Sequence, residues 1–147
     1  MSNALRGALS QDDPEVYTLL KYYMGWVDNQ GAPAERMEGK ALRPTLCLFA
    51  CEAVGGTPEM AMPAAVALEF IHTFSLIHDD IQDEDEMRHN RETLWKVWGV
   101  PKALVAGNVL RVVADQALHK LVHAGLRHDR ALSAMGLLTE AYLEMIE

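Results

Sequence analysis

Residues 72–93 pass from an apolar helical segment directly into acid: Asp79, Asp80 and Asp83, then Glu84, Asp85 and Glu86, and finally Arg88. Positions four apart share a helix face, so Asp79 and Asp83 point the same way, with Asp80 beside them. Carboxylates one turn apart repel each other unless a cation sits between them. Oxygen-only donors with no nearby cysteine suit a hard ion, Mg²⁺ before Zn²⁺. A few aspartates cannot fill an octahedral shell, and such an ion takes its other oxygens from water and a phosphate-bearing ligand. The pattern implies a site that holds phosphate through metal. Acidic runs at helix ends are usually no more than solvated faces. Here, though, His72, Leu76, Asp79, Asp80 and Asp83 step by three or four along one face.

Lys40 and Arg43 lie three apart in Glu38-Gly39-Lys40-Ala41-Leu42-Arg43-Pro44, a linker opening into a helix. Cations beside the free N–H groups of a helix start make a natural anion site, though taken singly such residues are mostly surface charges. His72, on a face with Glu69, reads in isolation as a satisfied core histidine. His119 and His123 are spaced i,i+4 without a third ligand and read as solvent-side. Cys47 and Cys51, also i,i+4, read as small buried residues of a helix face.

The elements that must position these groups are helical. Half of the 147 residues are apolar, rich in Ala, Leu and Met and poor in β-branched runs. The chain is expected to form one all-α domain over residues 1–147. Residues 1–13 read as irregular. Pro14 opens a helix to about Asn29 with Asp13 as N-cap, and a second helix follows Arg43 and stops at Gly55-Gly56. A third runs from Thr57 through His72 into the aspartates. Residues 88–93 read as irregular, with Trp95, Val97 and Trp98 as anchors. A fourth helix spans Lys102 to about His123 with a close-packed point at 106–108, and a last one is still running at Glu147, the pattern of an incomplete domain. A net charge of −8 with no basic stripe argues against nucleic acid. The apolar run 60–77 is interrupted by Pro63, Glu69 and His72, so no transmembrane segment is expected, and the reading is of a cytoplasmic chain.

Gly39-Lys40-x-x-Arg43-Pro44, then His72, then Asp79-Asp80-x-x-Asp83 and Arg88, in that order, resemble the trans-isoprenyl diphosphate synthases, the polyprenyl synthetase family of farnesyl and geranylgeranyl diphosphate synthases. The likeness covers about Glu38 to Ala114. It implies the N-terminal half of an all-α helical bundle of the isoprenoid synthase type, around a deep cavity and commonly a homodimer. It also implies a Mg²⁺-dependent prenyltransferase that condenses isopentenyl diphosphate with an allylic diphosphate to a geranylgeranyl or farnesyl product.

By the same resemblance, Lys40, Arg43 and His72 hold the isopentenyl diphosphate, while Asp79, Asp80 and Asp83 bind Mg²⁺ and through it the allylic diphosphate. Arg88 also holds the allylic diphosphate, and Phe74, five residues before Asp79, limits product length. Departures are Glu38 for Gly, His89 for a second Arg, Asn90 for Gly, Glu92 for Pro and Asn108 for Asp. No second Asp-Asp-x-x-Asp follows, so the chain by itself is expected to show no turnover. Two alternatives stand beside this reading. One is a non-catalytic or partner-dependent homologue that binds diphosphate or contributes half a site. The other is a class I terpene cyclase, against which the Lys40–Arg43 segment speaks.

Overall fold

The computed structural model describes residues 1–9, 14–34 and 41–146. Its described residues form helices α1 (Ser2–Ala8), α2 (Pro14–Tyr23), α3 (Leu42–Ala53), α4 (Pro58–Gln82), α5 (Leu94–Trp98), α6 (Val100–His119) and α7 (His128–Ile146), with a two-stranded hairpin, β1 (Met87–Arg88) and β2 (Arg91–Glu92), between α4 and α5. The fold is all-α, as the composition implies. Asp13 and Lys40 lie outside the described residues.

The core helix is α4, packed between α3 and α6. It buries Ala61, Ala65, Ala67, Phe70, Ile71, Phe74 and Ile77, while α6 offers Ala103, Ala106, Gly107, Leu110 and Ala114. Small residues on both faces let the backbones approach closely. The tightest point is Gly107, where a Cβ would fall 2.5 Å from His78 Nε2 and 2.7 Å from its Cδ2. By length and hydropathy α4 could cross a bilayer, with a mean of 1.5 over its most apolar window. Of that window 44% is buried inside the fold, where α4 packs against α3 and α6.

Four local readings are corrected. Residues 2–8 are helical rather than irregular, because Leu5 and Leu9 (6% and 0% exposed) reach the core; burying such a side chain contributes roughly 1.5–3 kcal/mol. Helix α2 stops at Tyr23 instead of about Asn29. Trp26 N–H bonds Lys21 O and Gly25 N–H bonds Tyr22 O, with Gly25 at φ +79°, a Schellman stop that needs a residue at ease in the left-handed region. Helix α6 ends at His119, and both His119 and His123 are exposed. Cys47 and Cys51 are half-buried free thiols, less enclosed than expected. Helices α3 and α7 turn Leu46, Phe49, Leu132, Leu137 and Leu143 outward.

Candidate functional site

Between the middle of α4, the end of α2, the start of α3 and the hairpin lies a cavity of about 550 Å³. Helix α4 lines it with Glu69, His72, Thr73 and Leu76, the i, i+3, i+4, i+7 stripe that faces one way on a helix. Arg43 enters from the first turn of α3, and Arg88, His89 and Arg91 enter from the hairpin. Among the described residues the first turn of α3 has no acidic side chain and no side-chain cap, and it carries the positive end of the helix dipole, which favours an anion.

The cations shape one another. His72 is held below the ordinary imidazole range, first by burial and then by Arg43 and Arg88, while Asp79 pulls the other way. Burial pushes the Glu69 carboxyl up, and Arg43 opposes it. Arg43, His72 and Arg88, from three separate elements, therefore share one electrostatic neighbourhood, and the field of Asp79 reaches it.

The three aspartates separate. Asp79 and Asp83 are exposed at the C-terminal end of α4, one turn apart, with Asp83 N–H bonded to Asp79 O at 2.8 Å. Asp80 turns inward and is 1% exposed, so the expectation that all three carboxylates project together is corrected. Both its oxygens are engaged: Arg88 Nε donates to Oδ1 at 2.6 Å, and Tyr23 Oη donates to Oδ2 at 2.8 Å. Burial, then the hydrogen bond to Asp80, pushes the Tyr23 hydroxyl far above its ordinary range. Among the described residues no cluster of three His, Cys, Asp or Glu side chains forms a ready metal shell. Asp79 and Asp83 nonetheless fit an open Mg²⁺ site: two hard oxygen donors at the negative end of a helix dipole, with space for water and a ligand phosphate.

The segment after the acids is a β-hairpin rather than irregular loop. Met87 pairs with Glu92 and Arg88 with Arg91, leaving a two-residue turn in which His89 and Asn90 have φ of +50° and +62°. Positive φ at both positions is the type I′ geometry that matches strand twist, and Asn adopts it at low cost. Arg91 donates to Tyr22 O and Val27 O, both at 2.9 Å, and stacks on the Tyr22 ring 3.9 Å away. Tyr22 Oη returns a bond to Glu92 O at 2.8 Å. Thr93, 1% exposed, donates to Asp85 O, as does Trp95 Nε1. The anchoring expected of Trp95 is present, and Trp98 packs edge-on against Tyr22.

Phe74 is buried outside this cavity, its ring 4.4 Å from that of His78 and 5.5 Å from that of Tyr142 on α7. The sequence reading passed over Tyr23 and Arg91. Tyr23 was legible only as part of an apolar helix face, and Arg91 only as one more charge. The usable signal was Asn90, a turn former between short segments able to pair.

The family model described as polyprenyl synthetase matches residues 27–147. The (2E,6E)-farnesyl diphosphate synthase of Mycobacterium tuberculosis is 42% identical over 114 residues, covering 78% of this chain and 32% of the relative. Among solved structures, the polyprenyl synthetase of Streptomyces coelicolor A3(2) superposes with a TM-score of 0.80 at 39% identity, covering 99% of this chain and 44% of that one. The geranylgeranyl pyrophosphate synthetase of Pyrococcus horikoshii gives 0.82 at 32% identity, covering 98% and 40%. The chain thus spans about a third of the length of the mycobacterial relative and under half of these structures.

Proposed function

Because the chain belongs to the polyprenyl synthetase family, we propose that its cavity is the diphosphate end of a prenyltransferase site that joins isopentenyl diphosphate to an allylic diphosphate. The observation that carries this is the convergence of Arg43, His72 and Arg88 on one cavity, with exposed Asp79, whose charge acts on His72, and Asp83 further along α4 outside the cavity's lining. Arg43, His72 and the N-terminal end of α3 hold one diphosphate, and Lys40 precedes them in sequence. Arg88, whose salt bridge uses Nε, offers its terminal amino groups to the other. Asp79 and Asp83 are the Mg²⁺ ligands, with Asp80 acting indirectly by holding Arg88. Bound Mg²⁺ supplies positive charge against the departing diphosphate.

In this reading the allylic C–O bond breaks with its electrons leaving on diphosphate. The isopentenyl double bond then forms the new C–C bond, and the proton lost from the resulting cation is taken up by the departed diphosphate. Arg88 stabilises charge where it develops, and the apolar wall of Leu5, Tyr22 and Trp26 limits water. Phe74 is the proposed limit on product length, favouring a geranylgeranyl or farnesyl product. In a longer, active protein Phe74→Ala is expected to lengthen products, and an unchanged product removes Phe74 from this role. The outward apolar residues of α3 and α7 would pack against further chain or a second copy in a dimer. The protein would work in the cytoplasm.

A second reading, a homologue that binds diphosphate or lends half a site without turnover, draws on exposed His89. An imidazole there is a weaker diphosphate ligand than a guanidinium. Calorimetric titration of the 147-residue chain with inorganic diphosphate, with and without Mg²⁺, tests what both readings share. Binding that requires Mg²⁺ and falls at least tenfold in Arg88→Met is expected; binding indifferent to both removes the proposal. Turnover assays with both substrates on the longer protein separate the two readings.

A further inference from the structure

We propose that Tyr23 is a positioning residue of this site, holding Asp80 so that Arg88 binds it through Nε alone and keeps both terminal amino groups for the ligand. The inference rests on the diphosphate reading above and concerns a residue on α2, outside every motif that carried that reading.

Asp80 is 1% exposed, so water cannot satisfy its oxygens. Arg88 Nε meets Oδ1 at 2.6 Å, and Tyr23 Oη meets Oδ2 at 2.8 Å. A guanidinium prefers two parallel bonds to a carboxylate. With Oδ2 vacated, that second bond becomes the easiest way to satisfy the buried oxygen, and it costs the cavity one of Arg88's terminal amino groups. With Tyr23 donating to Oδ2, that buried oxygen already has a partner, and a second bond from Arg88 is not needed to satisfy it.

The neighbouring residue acts on the same arginine through the backbone. Tyr22 O and Val27 O are bound by Arg91, and Tyr22 Oη binds Glu92 O. Arg91 pairs with Arg88 across the hairpin. The last two residues of α2 therefore fix Arg88 from both directions, Tyr22 setting its strand and Tyr23 its side chain. The Schellman stop at Gly25 ends α2 where both can reach.

The test uses the 147-residue chain as Tyr23→Phe, Asp80→Asn, their double variant, and the core control Val113→Ala (4% exposed) to match lost stability. The ¹⁵Nε–H resonance of Arg88, assigned by its loss in Arg88→Lys, reports the salt bridge without any ligand. Inorganic diphosphate with Mg²⁺ reports the site. Tyr23→Phe is expected to move the Arg88 resonance and weaken diphosphate binding about tenfold, while Val113→Ala does neither. Because Tyr23 acts through Asp80, the double variant binds no more weakly than Asp80→Asn. An unmoved Arg88 resonance, or losses that multiply in the double variant, overturns the inference. If the resonance moves but the wild-type chain binds no diphosphate, the reading of the cavity is what fails.

Discussion

Gly107→Ala should destabilise the protein, although alanine is the better helix former, and the sign should reverse when His78 is removed. Within α6 the exchange recovers about 1 kcal/mol of helix propensity. Against this, the new Cβ falls 2.5 Å from His78 Nε2 and 2.7 Å from Cδ2, and 3.5 Å from Phe74 Cδ2. The imidazole has little room to retreat, because Phe74 packs on it with ring centres 4.4 Å apart and its Nε2 is buried. Overpacking of this kind costs about 1–3 kcal/mol, so the net is a loss of up to about 2 kcal/mol. In His78→Ala the obstruction is gone, and adding Gly107→Ala should then stabilise by about 1 kcal/mol. Urea unfolding of the four proteins gives the coupling energy directly. If Gly107→Ala is stabilising in the wild-type background, the close α4–α6 approach that pins the helix just before Asp79 is not as described.

Asp79→Asn and Asp83→Asn should leave stability within about 0.5 kcal/mol, since both side chains are exposed, yet weaken Mg²⁺-dependent diphosphate binding at least tenfold. Asp80→Asn should instead cost about 1–3 kcal/mol in urea unfolding, because it disturbs a buried carboxylate hydrogen-bonded to the partly buried Arg88 and to Tyr23. Arg91→Ala removes two bonds to the end of α2 and the stack on Tyr22, and a loss of about 2–3 kcal/mol is expected in the same measurement. His72 titrates lower folded than unfolded, so as pH falls below about 6.5 the unfolded chain takes its proton first and stability drops. A bound diphosphate offsets Arg43 and Arg88 and should raise that affinity for protons. Binding near pH 6.5 should then take up more protons in the wild type than in His72→Gln, read as the difference between the two proteins in calorimetric heats across buffers of different ionisation enthalpy, which cancels the diphosphate's own titration.

The helical architecture and the long α4 were legible because Pro58, the apolar periodicity and the abrupt acidic run all mark one continuous helix. The cation cluster was legible from Arg43, His72 and Arg88 only through the resemblance, since their separations in sequence carry no geometry. The inward turn of Asp80 was hidden. Its place on the helix puts it beside Asp79, and only Tyr23 and Arg88 arriving from other elements make a buried carboxylate affordable. The early end of α2 was missed because apolar Val27 prolongs the helical period, whereas the Gly25 stop and the Arg91 bonds decide the boundary. The hairpin was missed because its strands are two residues each, too short to show alternation.

The most direct test of the central claim is a crystal structure of the chain with inorganic diphosphate and Mn²⁺ in place of Mg²⁺, the metal located by anomalous scattering. The account predicts metal on Asp79 and Asp83, and diphosphate between it and the terminal amino groups of Arg88, with Asp80 still bound to Tyr23. Metal bound elsewhere, or diphosphate on a face away from Arg43, His72 and Arg88, would contradict it.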